Sequence, residues 1–199
     1  MTRRSGWTLP DLADAYLAGG ARFIQLRSKH GSSAAFLATC ADVVERAHRA
    51  GAIVILNDRA DIAALSSADG VHVGQEDLDP ASVRRILGSA AIVGISTHTP
   101  EQARAASRLA VDYIAVGPIF GTSTKDTGYG AVGTALVGEA AAIIRAAGSA
   151  TPIVAIGGIT LERAREVIQA GAASVAVISD LLSTGNPEAR VKEYLRALA

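Results

Sequence analysis

The sequence predicts an α/β fold, a TIM (β/α)8-type barrel lacking its first strand. Three observations carry that expectation. A unit of alanine-rich amphipathic stretch, small-residue break and short Val/Ile-rich run recurs along the 199 residues. The Val/Ile-rich runs are mostly apolar on both faces, as parallel strands sheathed by helices are. Their start-to-start spacing is often about twenty residues, tighter and more even than a doubly wound sheet usually shows.

The elements follow in order. MTRRSGW is too short and polar for a buried strand, and residues 8–19 read as a helix leading into FIQLR at 23–27. Further strands are expected at 52–57, 70–74, 92–96, 113–119, 152–157 and 174–179. Between them, residues 33–50 carry Phe36, Leu37, Cys40, Val43, Val44 and Ala47 at helical spacing. The remaining helices are expected near 59–67, 79–88, 100–110, 133–147, 161–170 and 187–198. Gly51, Gly88, Gly148 and Gly171 sit where a helix stops, and Asp79-Pro80 reads as an N-cap with proline in the first turn. That makes seven strands rather than eight. Either the true start lies upstream, or the barrel is open or patched at one position. One domain spans 1–199, with 1–7 irregular.

Composition narrows the classes. With 49% hydrophobic residues and 19% charged, the chain has ample core material, which excludes disorder as a description of the whole. Nineteen basic residues balance nineteen acidic ones, which argues against a nucleic-acid surface. No apolar run reads as a secretory signal or membrane span. A single cysteine, Cys40, fits a reducing compartment, so the expected location is cytoplasmic.

Polar residues interrupt the apolar logic at strand ends, where barrel active sites form. Gln25 and Arg27 share one face of their strand, with Lys29 just beyond; either a salt bridge or a ligand anion would compensate their burial. Asn57-Asp58 ends the next strand, and Asp77 follows the one after. Two neighbouring carboxylates repel unless a cation intervenes, and hard oxygen ligands suit Mg²⁺ when phosphate oxygens complete its shell. His72, alternating with valines, reads as a satisfied core histidine. His98 reads as a loop brace and Cys40 as inert packing. The segment 117–130 packs glycines, hydroxyls and Lys125 after an apolar strand, a composition that can hold phosphate oxygens without being a Walker A loop. Gly157-Gly158 and Ser179 end the last two strands, a common phosphate position in barrels, although a tight turn also explains the glycines.

These residues resemble the thiamine phosphate synthase family. The matching stretches are QLRSK (25–29), ND (57–58), DGVHVGQEDL (69–78), VGISTH (93–98), DYIAVGPIFGTSTK (112–125), VAIGGI (154–159) and VAVIS (175–179). The resemblance implies a transferase joining hydroxymethylpyrimidine pyrophosphate to hydroxyethylthiazole phosphate through a pyrimidine carbocation, with pyrophosphate leaving. It implies Mg²⁺ on Asp58 and Asp77, pyrophosphate contacts from Arg27, Lys29, Asn57 and Lys125, and Gln25 and Ser96 near the pyrimidine. It further implies that Thr122, Thr124, Gly158 and the Ile178-Ser179 backbone position the thiazole phosphate. The catalytic set would be Arg27, Lys29, Lys125 and Ser96. The three cations exceed the two aspartates by one charge, and Mg²⁺ raises the balance to match a pyrophosphate ester of about −3. The family normally opens with a strand that this sequence lacks, and Gly121 stands where proline is common.

Rival readings are a thiazole tautomerase-like enzyme, a phosphosugar isomerase or epimerase, and a degenerate barrel that binds a phosphate ligand without turnover. Pro118 and TSTK at 122–125 favour the synthase over the tautomerase. The expected partners are the two small substrates and, given the exposed strand edges, a second copy of the chain.

Overall fold

Helices and strands alternate along the chain in the computed structural model, which describes residues 6–29, 31–121 and 130–199. The order is α1 (Leu9–Ala18), β1 (Phe23–Leu26), α2 (Ser33–Arg49), β2 (Ile53–Asn57), α3 (Ala60–Ser66) and β3 (Gly70–Val73). It continues with α4 (Pro80–Leu87), β4 (Ile92–Thr97), α5 (Pro100–Ala106), β5 (Tyr113–Val116) and α6 (Gly133–Ala146). Then come β6 (Ile153–Ile156), α7 (Leu161–Gln169), β7 (Ser174–Ala176), a 3₁₀ turn at Asp180–Leu182 and α8 (Pro187–Leu198).

The seven strands form one parallel sheet in sequential order, β1 to β7. Among the described residues β1 and β7 are its two edges, so the sheet is open where an eighth strand would stand. It is nevertheless strongly curled. Strands lie about 4.8 Å apart, so β1 and β5 would be roughly 19 Å apart in a flat sheet. Yet the rings of Phe23 on β1 and Tyr113 on β5 meet edge to face with centroids 5.7 Å apart. The helix layer follows the curl: α1 packs on α2 at one side and on α8 at the other. Trp7 forms an isolated β-bridge just ahead of α1.

Alternation along the strands separates two surfaces. Ile24, Leu26, Val54, Leu56, Val71, Val73, Val93, Ile114 and Val116 are buried against the helices. The other face turns inward, and the pairings Asn57↔His72, His72↔Gly94 and Gly94↔Tyr113 run one row across it. At the opposite end of the sheet two aspartates brace strand starts. Asp69 accepts the Val54 N–H at 2.7 Å and Asp112 accepts the Val93 N–H at 2.7 Å. Arg84 holds Asp112 at 2.8 Å.

Two sequence-predicted strands run three residues past their observed ends. The run 113–119 stops at Val116, because Gly117-Pro118 brings a residue with no N–H to donate to the ladder. The run 174–179 stops at Ala176, and the chain turns into the 3₁₀ segment instead. The helix expected at 100–110 ends at Ala106.

Candidate active site

Because all strands are parallel, the polar strand ends lie at one rim of the curled sheet. Arg27 follows the last residue of β1, Asn57 closes β2 and Asp58 follows it, Asp77 lies in the loop after β3, and Ser96 sits near the end of β4. Arg27 is partly buried, and its Nε has no hydrogen-bond partner among the described residues. A buried N–H donor without an acceptor costs about 1–3 kcal/mol, a cost that an anion accepting the bond would offset. Lys29 is exposed beyond it.

Asn57 is buried, at 8% exposure. Asp58 adopts the left-handed backbone conformation, φ 64°, and its N–H donates to the His72 carbonyl at 2.8 Å. That backbone costs a non-glycine residue about 1–3 kcal/mol, and such positions concentrate at functional sites. Asp77 is exposed, and its Oδ2 accepts the Gly74 N–H at 2.8 Å. The same loop is tied to β4, where Gln75 Nε2 donates to the Ser96 carbonyl at 2.6 Å. Among the described residues no group of three or more His, Cys, Asp or Glu side chains could hold a metal. Two carboxylates from adjacent strand ends remain, a donor set that fits Mg²⁺ completed by water and phosphate oxygens and fits neither zinc nor an all-protein cage.

Beside this cluster lies a cavity of about 420 Å³ with Ser96, His98, Pro118, Gly158, Ile178 and Ser179 in its wall. Gly157 and Gly158 hold φ of 102° and 62°, and a Cβ on Gly158 would fall 2.5 Å from the Gly121 carbonyl oxygen. Only glycine lets this loop approach so closely. His98 Nδ1 bonds the Gly117 carbonyl, so the imidazole braces the β5 loop. The cavity gathers Ser96, Gly158, Ile178 and Ser179 from the sequence-predicted set, whereas Gln25, Arg27, Asn57, Asp58 and Asp77 lie outside its wall. Thr122, Thr124 and Lys125 fall outside the described residues.

An interior network links the two groups. His72 is buried, with Nδ1 2.9 Å from the Tyr113 hydroxyl and Nε2 2.8 Å from Ser96 Oγ. Burial raises the Tyr113 phenol pKa well above the ordinary value, an effect that the nearby Gln25 side chain partly offsets. His72 is therefore a satisfied core histidine, as its alternation with valines suggests, and one that fixes a site serine. Gly94 makes the network possible, because a Cβ there would lie 2.0 Å from Tyr113 Cζ. Sequence reasoning passed over Tyr113, which reads as an ordinary strand aromatic, although Gly94 opposite it marked a place where a large ring could lie. It also passed over Asp180, whose carboxylate collects several donors beside Ser179. Cys40 is buried in the helix layer, and burial pushes its thiol up to about 12.

The chain resembles known proteins along nearly all of its length. A family profile described as thiamine monophosphate synthase matches residues 2–181. A thiamine-phosphate synthase of Koribacter versatilis is 42% identical over 191 residues, covering 96% of this chain and 87% of that protein. One from Thermus thermophilus is also 42% identical over 191 residues, covering 94% and 89%. A solved thiamine phosphate pyrophosphorylase from Pyrococcus furiosus superposes with a TM-score of 0.88 at 26% identity, covering 100% of this chain and 95% of that one.

Proposed function

The chain belongs to the thiamine monophosphate synthase family and is a transferase that forms thiamine phosphate; we propose that it does so at the rim described above. Hydroxymethylpyrimidine pyrophosphate and hydroxyethylthiazole phosphate are joined there, and pyrophosphate leaves. The observation that carries this placement is the buried Arg27 Nε, which finds no acceptor among the described residues.

The roles divide by position. Arg27, Lys29 and Asn57, with Lys125, hold the pyrophosphate and stabilise its charge as it departs. Asp58 and Asp77 would hold Mg²⁺, which when bound adds positive charge to the leaving group. Gln25 and Ser96 orient the pyrimidine, Ser96 held by the Tyr113–His72 network. Gly158 and the Ile178-Ser179 backbone, with Thr122 and Thr124, seat the thiazole phosphate. The site calls for no general base, since the thiazole nitrogen supplies its own electron pair.

The sequential strand order and the packing of α1 on α8 support a (β/α)8 design with one strand position between β1 and β7. The two strand edges at that position support pairing of subunits. No helix among the described residues is long and apolar enough to cross a membrane, and balanced charge with one cysteine supports a cytoplasmic setting. The deciding assay is pyrophosphate release that appears only with both heterocyclic substrates and Mg²⁺. The open sheet favours one rival, a barrel that binds phosphate ligands without turnover. Saturable binding of the thiazole phosphate with no product would establish that rival and remove the transferase reading.

A further inference from the structure

We propose that Asp180 is a positioning residue for the thiazole phosphate, joining the two loops that seat it while Arg190 cancels its charge. The inference rests on the assignment of that phosphate to Gly158 and Ile178-Ser179. Asp180 immediately follows Ser179 and lies in the cavity wall. A single oxygen, Oδ2, accepts from Arg190 Nε at 3.1 Å, Arg190 Nη2 at 2.9 Å, the Tyr194 hydroxyl at 2.6 Å and the Leu161 N–H at 3.3 Å. Leu161 is the first residue of α7, whose N-cap Thr160 makes no side-chain capping bond. Asp180 therefore supplies from the β7 loop the acceptor that the β6 loop lacks, and Tyr194 and Arg190 bring in α8 as a third partner.

The charge arrangement gives this staple a specific consequence. A carboxylate one residue beyond the phosphate seat would repel a dianion. The pair is largely withdrawn from water, with side chains 11% exposed for Arg190 and 12% for Asp180. Solvent cannot screen it, so Arg190 must do so. Arg190 also meets Glu193 at 2.8 Å and Glu162 at 3.5 Å, but those carboxylates are 45% and 71% exposed and water screens them. Asp180 is thus the carboxylate whose charge the phosphate would sense if Arg190 were lost.

Steady-state kinetics with each substrate varied in turn separates this role from bulk destabilisation. Arg190→Met should raise KM for the thiazole phosphate roughly tenfold or more, with KM for the pyrimidine pyrophosphate within about twofold of the parent. Asp180→Asn in the same background should recover most of that loss, because it removes the unscreened charge and keeps an acceptor for Leu161 and Tyr194. Arg190→Lys should stay near the parent, and it carries the test if Arg190→Met does not fold. Both KM values rising together, no rescue in the double variant, or Arg190→Lys behaving as Arg190→Met would overturn the inference. A parent protein that forms no thiamine phosphate would instead overturn the functional reading, and the inference with it.

Discussion

A single carboxylate, Asp58, combines an uncommon backbone conformation with a place at the end of β2. Its left-handed backbone turns the chain at the end of β2 while its side chain stays at the rim. Asparagine tolerates the same conformation, so Asp58→Asn should fold with a near-parental melting temperature and lose about a hundredfold or more in kcat. Parental kcat in a stopped pyrophosphate-release assay would remove Asp58 from the machinery. Gly94 is the structural counterpart. Gly94→Ala would drive a methyl into the Tyr113 ring, and urea unfolding should show a loss of about 1–3 kcal/mol, partly recovered by Tyr113→Leu in the same chain. Arg27 and Asp58 stand out in the sequence because each follows an apolar run with a charge that needs a reason. Tyr113 does not, because an aromatic in a strand satisfies every local rule, and its contact with His72 depends on register across three strands.

At the scale of elements, helix starts are written in the sequence more plainly than strand ends. Thr8, Ser32, Asp79 and Thr99 each accept a backbone N–H from the first turn of the helix that follows; Asp79 and Thr99 directly precede proline, and Thr8 stands two residues before one. Strands overran at 113–119 and 174–179 because apolarity continues into a loop that packs inward, and only the hydrogen-bond ladder shows where pairing stops. The caps carry a pH signature. The Ser82 hydroxyl and N–H hold Asp79 below the usual carboxylate range, and the Thr8 hydroxyl, with its N–H, does the same for Asp11. Their folded pKa lies below the unfolded one. Their contribution is therefore complete above the unfolded value of about 4 and lost as pH falls through the folded one. Urea midpoints should be level between about pH 7 and 5 and decline below about pH 4. Asp79→Asn, which caps without titrating, should make that decline shallower; an unchanged slope would show that the cap does not couple to folding.

For the whole molecule, periodicity indicated alternating helices and strands but could not say whether the sheet closes, since closure depends on partners at opposite ends of the chain. Among the described residues the sheet stays open between β1 and β7, while α1 and α8 pack together across that gap. A Cβ on Gly19 would fall 2.7 Å from Val191 Cβ, so the helices meet almost backbone to backbone. Gly19→Val should therefore loosen both, which amide exchange would report as matched loss of protection in α1 and α8. Sedimentation velocity at micromolar concentration should show a dimer if the β1 and β7 edges pair between subunits, and a monomer throughout would exclude that pairing. The junction of first and last helices also governs biogenesis. Leu12 and Tyr16, buried in α1, are translated well before α8, the helix that α1 packs against. The nascent chain must hold an uncovered apolar stripe until α8 has emerged, and a stalled-ribosome series should show α1 protected only in chains that carry α8 outside the tunnel.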